Sequence, residues 1–377
     1  MKAIISSNTC RDTYFSKTLI SDLQNAGIEV LAFTNVDESL DKLEGLCKVI
    51  TTSFNPRGTS PFNEYAVLQE YKKLYKREKP DIVLNYNAKP VIYGGIAAHQ
   101  LNIPSITNMT GLGKVYLKPS LLQNLMTFLY KKALRAPKAF TFFVNPDDKG
   151  LFLEKKIVRE KACAVLPGRG VNLSFYKSSG KKKQDNITRF VFAGRLLVSK
   201  GLEDYLVAAK KLKQKYGEQV SFAVCGNFEN AKKGDKDFIS KENLQKYVEE
   251  KIIKYEGFVV DMKSYIDEFC DCMVLPSYYR EGVPRVLLQA IALSKAVIGC
   301  DSAGTREPIF DGENGYLCKK QNSEDLAEKM ERFFLLSENE KNKMFQNARQ
   351  IAEKHFDEKI VSQRYLQKIN ELCKIKN

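Results

Sequence analysis

The chain has 377 residues, of which 44% are hydrophobic and 28% charged, with 22 Gly and 12 Pro. This is the composition of an ordinary globular protein, and at roughly 100–200 residues per domain the length predicts two domains. No apolar run reaches the roughly 18–20 residues of a membrane span, and the N-terminus lacks the pattern of a signal peptide. The nine cysteines form no CxxC pair, which favours reduced thiols in a cytoplasmic protein.

Positive charge is concentrated in one part of the chain. The formal net charge is +15, and residues 101–200 carry 19 Lys and Arg against 5 Asp and Glu, whereas residues 201–377 carry 29 of each kind. This asymmetry indicates a surface that meets something anionic, with nucleic acid, diphosphates and an anionic membrane as candidates. A Lys excess that serves only solubility is the alternative. No nucleic-acid-binding motif is present, so we expect no nucleic-acid partner.

Short apolar or β-branched runs alternate with helical patterns along the chain. The runs are almost continuously apolar, which is typical of parallel strands covered on both faces. We predict strands at residues 2–6, 28–33, 81–85, 104–108, 140–145, 162–166, 189–193, 220–225, 253–258, 272–276, 296–300 and 315–317. The pattern predicts an α/β fold with two doubly wound parallel sheets.

The polar stretch at residues 178–186 predicts a linker between the two domains. Proteins with doubly wound parallel sheets bind ligands at the carboxyl ends of their strands. The chain has neither a G-x-G-x-x-G fingerprint nor a P-loop, which argues against a dehydrogenase or a P-loop nucleoside triphosphatase. His99 and His355 are the only histidines, and neither has other metal-ligating residues near it in sequence. This argues against a metal site and against a serine or cysteine triad.

The strongest chemical signal lies between residues 276 and 307. Glu281 stands in a loop between a predicted strand and Pro284, which is placed to open a helix. Gln289 follows about two turns along that helix. The alternative interpretation is that Glu281 is only an acid at a helix N-terminus and Gln289 only a surface amide.

A second loop with similar features follows the strand predicted at 296–300. It contains Gly304 and Thr305, and we expect another helix to begin near Glu307. Two helix N-termini at one edge would present backbone N–H groups to a diphosphate, and a carboxylate beside them would hold sugar hydroxyls.

The 276–307 stretch resembles the E-x7-E region of the retaining nucleotide-sugar glycosyltransferases of family 4. That family has the GT-B fold, in which two Rossmann-like domains face a central cleft. Further segments are similar to the family in the same order, over about residues 167–350: 192–196 with 200–201, 224–227, 255–261 and 271–277. The first of these is similar to the family segment whose Arg and Lys hold the donor diphosphate.

The resemblance implies a retaining hexosyl transfer from a nucleotide-diphosphate sugar, UDP-linked by preference, with GalNAc or a related hexose as the transferred group. It implies catalytic roles for Arg195 and Lys200, which would stabilise the departing diphosphate, and for Glu281, which would position the donor sugar. The donor-binding residues that it implies are Gly194, Asn227, Val260, Pro284, Gln289, Gly304, Thr305 and Glu307.

The resemblance further implies that no metal or other cofactor is needed, since the nucleotide sugar is a substrate. The D-x-D pattern at residues 235–237 is interpreted as surface rather than as a metal site. A front-face reaction, in which the leaving phosphate accepts the proton of the acceptor hydroxyl, requires no general base. A dedicated base would have to be an acid such as Asp12 or Asp147.

One departure from the family concerns the second acid of E-x7-E, which is Gln289 here. An amide can accept a hydrogen bond from a ribose hydroxyl and can also donate one. The alternatives are a catalytically weak GT-B scaffold and a sugar-nucleotide epimerase of the same fold, although the shortage of histidines argues against the epimerase.

The first half resembles a narrower group of bacterial transferases that act on undecaprenyl-diphosphate-linked sugars in N-glycan, O-antigen or capsule assembly. The similar segments are 85–90 with 93–95, 110–113 and 143–148. The acceptor would be a polyprenyl-diphosphate-linked glycan. The alternative interpretation is that the glycines serve only turn geometry and that Lys89 is a solvated surface residue. The predicted acceptor-binding residues are Arg11, Lys89, Thr110, Gly111, Gly113 and Asn145.

The segment 119–138 combines a broad apolar helical face with four following cations. This combination suits a helix lying in an anionic membrane interface, although a core helix with a basic end would look similar. The predicted membrane residues are Leu125, Phe128, Leu129, Lys131, Lys132 and Arg135. We expect a cytoplasmic protein peripherally attached to the inner face of the cytoplasmic membrane.

These assignments predict that the chain consists of two domains and a C-terminal helix. Residues 1–177 would form a Rossmann-like acceptor-binding domain with the membrane-associating region, and residues 178–354 a Rossmann-like nucleotide-sugar-binding domain. Residues 355–377 would form a helix with an apolar stripe that, as in GT-B relatives, crosses back to the first domain.

Overall fold

The computed structural model describes residues 1–55, 58, 60–116, 119–180, 185–228 and 237–374. The chain divides into two compact units. The first unit comprises Met1–Arg169 together with the C-terminal segment from Glu358, and the second comprises Gly170–Asp357. Each unit is built on one parallel β-sheet covered by helices.

The sheet of the first unit has seven parallel strands. They are β1 (Lys2–Ser6), β2 (Glu29–Asn35), β3 (Lys48–Thr52), β4 (Ile82–Tyr86), β5 (Ser105–Met109), β6 (Ala139–Phe143) and β7 (Cys163–Val165). Their spatial order is β3-β2-β1-β4-β5-β6-β7. Every position of β4, β5 and β6 is buried, because helices cover both faces of the sheet.

Among the described residues up to Arg169, seven helices follow the strands in chain order. They are α1 (Cys10–Tyr14), α2 (Lys17–Asn25), α3 (Leu40–Glu44), α4 (Pro61–Glu78), α5 (Gly95–Gln100), α6 (Leu121–Leu134) and α7 (Pro146–Glu154). A π-helical turn, Pro90–Gly94, leads directly into α5. Because the strands are parallel, each helix that follows a strand begins at the carboxyl edge of the sheet.

The second unit has a six-stranded parallel sheet in the order β10-β9-β8-β11-β12-β13. The strands are β8 (Thr188–Ala193), β9 (Val220–Cys225), β10 (Lys254–Gly257), β11 (Cys272–Leu275), β12 (Ala296–Cys300) and β13 (Gly315–Cys318). The helices are α8 (Leu202–Tyr216), α9 (Lys241–Glu249), α10 (Met262–Phe269), α11 (Arg285–Ala292), α12 (Ser323–Phe334) and α13 (Glu338–His355).

The predicted fold class, two doubly wound parallel sheets, is confirmed. All twelve predicted strands are present with ends shifted by at most two residues. The prediction missed β3, an edge strand without a fully buried position. A strand with one neighbour and a half-exposed surface does not show the continuous apolar run of the central strands.

The boundary between the units lies eight residues earlier than the predicted one. The Arg349 guanidinium donates a 2.8 Å hydrogen bond to the Tyr176 carbonyl. The Ser178 hydroxyl donates one of 2.6 Å to the Asp267 carboxylate. These bonds attach the start of the predicted linker to the second unit, while its residues 181–184 lie outside the described part of the chain.

The last helix, α14 (Glu358–Lys374), belongs to the first unit and begins three residues later than predicted. Its Val361, Tyr365 and Ile369 are buried in the same core as the central strands. The Tyr365 hydroxyl accepts a 2.9 Å hydrogen bond from the Asn108 amide of β5. The sheet of the first unit is therefore covered in part by the C-terminal end of the chain.

Candidate active site

Three loops meet at the carboxyl edge of the second sheet. They follow β8, β11 and β12, which are neighbours in the sheet. The loop after β8 carries Arg195 and Lys200, the loop after β11 carries Glu281, and the loop after β12 carries Gly304 and Thr305. The strand order thus gathers residues that are up to 110 positions apart in sequence.

The Lys200 ammonium forms an ion pair with the Glu281 carboxylate. Their side chains are only 11% and 13% exposed, so water screens this pair less than a surface pair. The Ser277 hydroxyl donates a hydrogen bond to the other oxygen of Glu281. The two catalytic residues predicted from separate motifs are therefore in direct contact.

Tyr279 lies against both predicted cations. Its ring centroid is 5.5 Å from the Arg195 guanidinium carbon and 5.7 Å from the Lys200 ammonium nitrogen. Its backbone N–H donates a 3.0 Å hydrogen bond to the Ser199 carbonyl. The ring thus holds two cations near each other, as cation–π contact allows. Tyr279 was not predicted as a site residue, although it stands two residues before Glu281.

The loop after β12 is attached to the loop after β11 through one carbonyl. The hydroxyls of Ser302 and Thr305 both donate to the Ser277 carbonyl, at 2.7 and 3.2 Å. Gly304 has φ +83°, and a Cβ there would lie 2.1 Å from the Gly282 carbonyl oxygen. Only glycine permits this approach of the two backbones.

The helix predicted to begin near Glu307 is absent. Residues 303–308 form a turn, with a 3.0 Å hydrogen bond from the Arg306 N–H to the Ser302 carbonyl. Pro308 follows Glu307 directly, and a proline disfavours helical backbone in the residue before it. Of the two loops expected to open a helix, the loop after β11 leads into α11 behind Pro284, whereas the loop after β12 forms an isolated turn.

Asp237 corrects the interpretation of the D-x-D pattern as surface. Its carboxylate accepts hydrogen bonds of 2.9 Å from both the N–H and the hydroxyl of Ser199. These bonds fix the turn immediately before Lys200. Residues 235 and 236 lie outside the described part of the chain. No group of three or more His, Cys, Asp or Glu side chains suited to a metal ion occurs among the described residues.

The remaining predicted donor residues lie at the same edge of the sheet. Gly194 directly follows β8, and a Cβ at Gly226 would stand 2.0 Å from the Gly194 carbonyl oxygen, so these two turns touch. Asn227 follows Gly226 and is half-buried. Val260 follows β10 and is exposed. On α11, the Gln289 side-chain amide donates a 2.7 Å hydrogen bond to the Tyr176 hydroxyl.

Two predicted acceptor residues have other partners in the first unit. The ammonium of Lys89 is nearly buried and forms an ion pair with Glu64 of α4, so its charge is already neutralised. Asn145 is fully buried, and its side-chain oxygen accepts a 2.7 Å hydrogen bond from the Asp148 N–H. Asn145 therefore caps α7, and the acceptor-binding roles of Lys89 and Asn145 stay predictions.

The other predicted acceptor residues lie at the carboxyl edge of the first sheet. Arg11 is exposed on α1, and its guanidinium is 3.7 Å from Glu38. Thr110 follows β5 directly and is half-buried. Gly111 and Gly113, with φ of +129° and +61°, give the same loop its course. Their roles as acceptor-binding residues stay predictions.

The two acids considered as a general base differ in environment. Asp12 is half-buried in α1, and burial raises the pKa of its carboxyl group, while the nearby Arg169 guanidinium opposes that rise. Asp147 is exposed in the first turn of α7.

Helix α6 exposes a stripe of large apolar side chains. Leu125 is 55% and Phe128 52% exposed, and Leu121 and Leu122 before them are also exposed. Leu129, predicted for the same surface, instead packs against the core of the first unit. The exposed surface is thus narrower than predicted. No helix among the described residues has the length and apolar character that a membrane span requires.

The cations that follow the stripe lie beside it. Lys132 and Arg135 are exposed, and Lys131 is half-buried. The Lys132 ammonium nitrogen is 4.6 Å from the centroid of the Phe128 ring. Apolar and basic groups therefore form one continuous surface on α6.

Two doubly wound units, the second with cations and a carboxylate at its carboxyl edge, are typical of the GT-B fold. Residues 175–351 match the model of the "Glycosyl transferases group 1" family, and residues 5–145 match "Glycosyl transferase 4-like". The chain is 30% identical to the N,N'-diacetylbacillosaminyl-diphospho-undecaprenol alpha-1,3-N-acetylgalactosaminyltransferase of Campylobacter jejuni, over 96% of each chain. The chain therefore belongs to the glycosyltransferases, the family that its motifs predict.

Solved structures give the same fold. A glycosyltransferase from Rickettsia africae superposes with a TM-score of 0.78 over 100% of this chain and 99% of the other, at 18% identity. HepE from Anabaena, in complex with UDP and glucose, superposes with a TM-score of 0.76 over 98% and 100%, also at 18% identity. At this identity the likeness establishes the fold alone.

Proposed function

We propose that the chain transfers a hexose, GalNAc or a related sugar, from a UDP-linked donor to an undecaprenyl-diphosphate-linked saccharide, with retention at the anomeric carbon. The contact of Lys200 with Glu281, beside Arg195, carries this proposal. The two cations are suited to binding a diphosphate. The carboxylate beside them is suited to binding sugar hydroxyls. The named activity of the Campylobacter jejuni relative supports the acceptor class.

Lys200 links the two halves of the donor. Its ammonium has three N–H donors, so it can bind Glu281 and a diphosphate oxygen at the same time. Arg195, fixed against the same Tyr279 ring, adds a second cation. Together they stabilise the charge that develops on the departing diphosphate, which makes a divalent metal dispensable.

The proposed step needs no base from the protein. The acceptor hydroxyl oxygen forms a bond to the anomeric carbon while the bond between that carbon and the β-phosphate oxygen breaks. The hydroxyl proton passes to an oxygen of the leaving diphosphate on the same face. The products are the extended lipid-linked saccharide and UDP, and all atoms balance.

Nucleotide binding tests the donor site directly. We expect UDP to raise the melting temperature with EDTA present, and to do so more than GDP, CDP or ADP. At 100 times its dissociation constant a ligand stabilises by roughly 2.7 kcal/mol, which a thermal-shift assay detects. We expect Glu281→Ala to keep much of the response to UDP and to lose the additional response to the UDP-sugar.

Two results would contradict this assignment. A response that requires a divalent cation would remove the proposed metal independence. No response to any diphosphate would favour a scaffold without transferase activity, the alternative raised by Gln289.

We also propose that α6 attaches the enzyme to the inner face of the cytoplasmic membrane. Phe62 and Tyr65 in the first turns of α4 are 88% and 65% exposed and support a broader apolar surface than α6 alone. Helices α4 and α6 both begin at the carboxyl edge of the first sheet. Side chains of this kind with adjacent cations suit an anionic interface.

Charge reversal tests the membrane attachment. We expect Lys131→Glu with Lys132→Glu and Arg135→Glu to abolish flotation with vesicles rich in anionic lipid, since each cation near such a surface contributes about 1 kcal/mol. A triple variant of exposed lysines on α8 in the second unit, Lys210, Lys211 and Lys215 to Glu, serves as the control. Equal flotation of the α6 variant and the wild type would refute the assignment.

A further inference from the structure

Gln289 is held by a residue that lies outside the motif segments named above. Its Nε2 atom donates a 2.7 Å hydrogen bond to the hydroxyl of Tyr176, which lies 113 residues earlier. Both residues are half-buried in the second unit. This bond uses the donating end of the amide.

Tyr176 is also attached to α11 through its backbone. One Arg349 nitrogen donates to the Tyr176 carbonyl at 2.8 Å and to the carbonyl of Ala292, the last residue of α11, at 2.7 Å. The guanidinium is held in place by Glu353, at 2.7 Å. The tyrosine is thus fixed to the helix that carries Gln289 at two points, which limits how far its hydroxyl can move.

The direction of the Gln289 bond decides what the amide presents to a ligand. The oxygen and nitrogen of a side-chain amide lie on opposite sides of the same carbon. With Nε2 directed to Tyr176, Oε1 is directed away from it and is the end available to accept a hydrogen bond. A carboxylate would accept in either orientation, but a glutamine accepts only when it is turned this way.

We infer that Tyr176 is a positioning residue that orients Gln289 so that its Oε1 accepts a hydrogen bond from a ribose hydroxyl of the donor nucleotide. This inference rests on the proposed function and deepens it. It explains how an amide takes the place of the second acid of E-x7-E. The consequence is selectivity for ribonucleotides over deoxyribonucleotides that depends on a tyrosine outside the motif.

Calorimetric titration with UDP, 2′-deoxy-UDP and 3′-deoxy-UDP tests the inference. In the wild type we expect one deoxy analogue to bind about tenfold more weakly than UDP, the effect of one hydrogen bond. In Tyr176→Phe we expect this ratio to fall to about twofold, because the released amide is no longer held in the orientation in which Oε1 meets the ribose hydroxyl. Tyr216→Phe, which removes a hydroxyl bonded to Glu331 in the same unit, is expected to keep the wild-type ratio.

A rescue separates orientation from a general structural effect. In Tyr176→Phe with Gln289→Glu, we expect the discrimination to return, because a carboxylate has no wrong orientation. The inference would be overturned if Tyr176→Phe left the affinity ratio between UDP and its deoxy analogues unchanged. It would also be overturned if Tyr176→Phe weakened all three nucleotides equally and Gln289→Glu did not restore the discrimination. If the wild type bound UDP and both deoxy analogues equally well, the inference would be overturned but the proposed function would not. Failure of the wild type to bind UDP would overturn the proposed function as well.

Discussion

We expect Lys200→Met to lower the rate of sugar transfer about 10²- to 10³-fold, the usual cost of removing one preorganised group that stabilises developing charge. The loss has two sources in this structure. The leaving diphosphate loses a cation, and Glu281 loses the partner that holds it. Release of UDP in the presence of the lipid-linked acceptor measures the rate. Methionine is chosen because it keeps most of the side-chain volume.

Lys210→Met is the matched control for that substitution. Lys210 also forms an ion pair, with Glu250 at 2.6 Å, but on the exposed surface of the second unit. We expect it to leave the rate unchanged, because exposed pairs contribute little. If Lys200→Met kept more than about a third of the wild-type rate, Lys200 would not have the catalytic role assigned to it.

We expect Gly304→Ala to weaken UDP binding at least about 50-fold and to lower the melting temperature by roughly 5–10 °C. A Cβ at this position would stand 2.1 Å from the Gly282 carbonyl oxygen and 2.5 Å from that of Glu281. The two loops must then separate. Separation breaks the hydrogen bonds of Ser302 and Thr305 to the Ser277 carbonyl. Isothermal titration and thermal unfolding measure the two effects.

Gly312→Ala controls for backbone strain at Gly304. Gly312 has φ +80°, close to the +83° of Gly304, but a Cβ at Gly312 would meet no atom within 4 Å. The substitution therefore carries the left-handed penalty of about 1–2 kcal/mol without the collision. We expect UDP binding to stay unchanged. Similar losses of UDP binding in both variants would mean that strain, not loop contact, is the cause.

The clustering of Arg195, Lys200 and Glu281 was predictable because their signals are local. Arg195 and Lys200 stand in one short motif directly after a strand, and Glu281 stands in another. Parallel strands end at one edge, so the contact between Lys200 and Glu281 follows once the strand order is known. The order itself depends on tertiary packing, which a single sequence does not reveal.

The partners of several predicted residues are distant in sequence, so the local pattern does not reveal them. Lys89 has the pattern of a free cation, but Glu64 of another helix neutralises it. Asp237 has the pattern of a surface acid until the Ser199 turn is brought against it. Asn145 did carry a local signal, since an Asn directly before a Pro is typical of a helix cap. Pro308 likewise indicated that no helix begins at Glu307.

The placement of α14 has a consequence for the order in which the chain acquires its structure on the ribosome. Domains usually become complete in the order in which they are synthesised. Here Tyr365 and Ile369 complete the core of the first unit, although they are synthesised after the whole of the second unit. We therefore expect the second unit to reach its native state earlier, with the core of the first unit completed only after α14 has been synthesised.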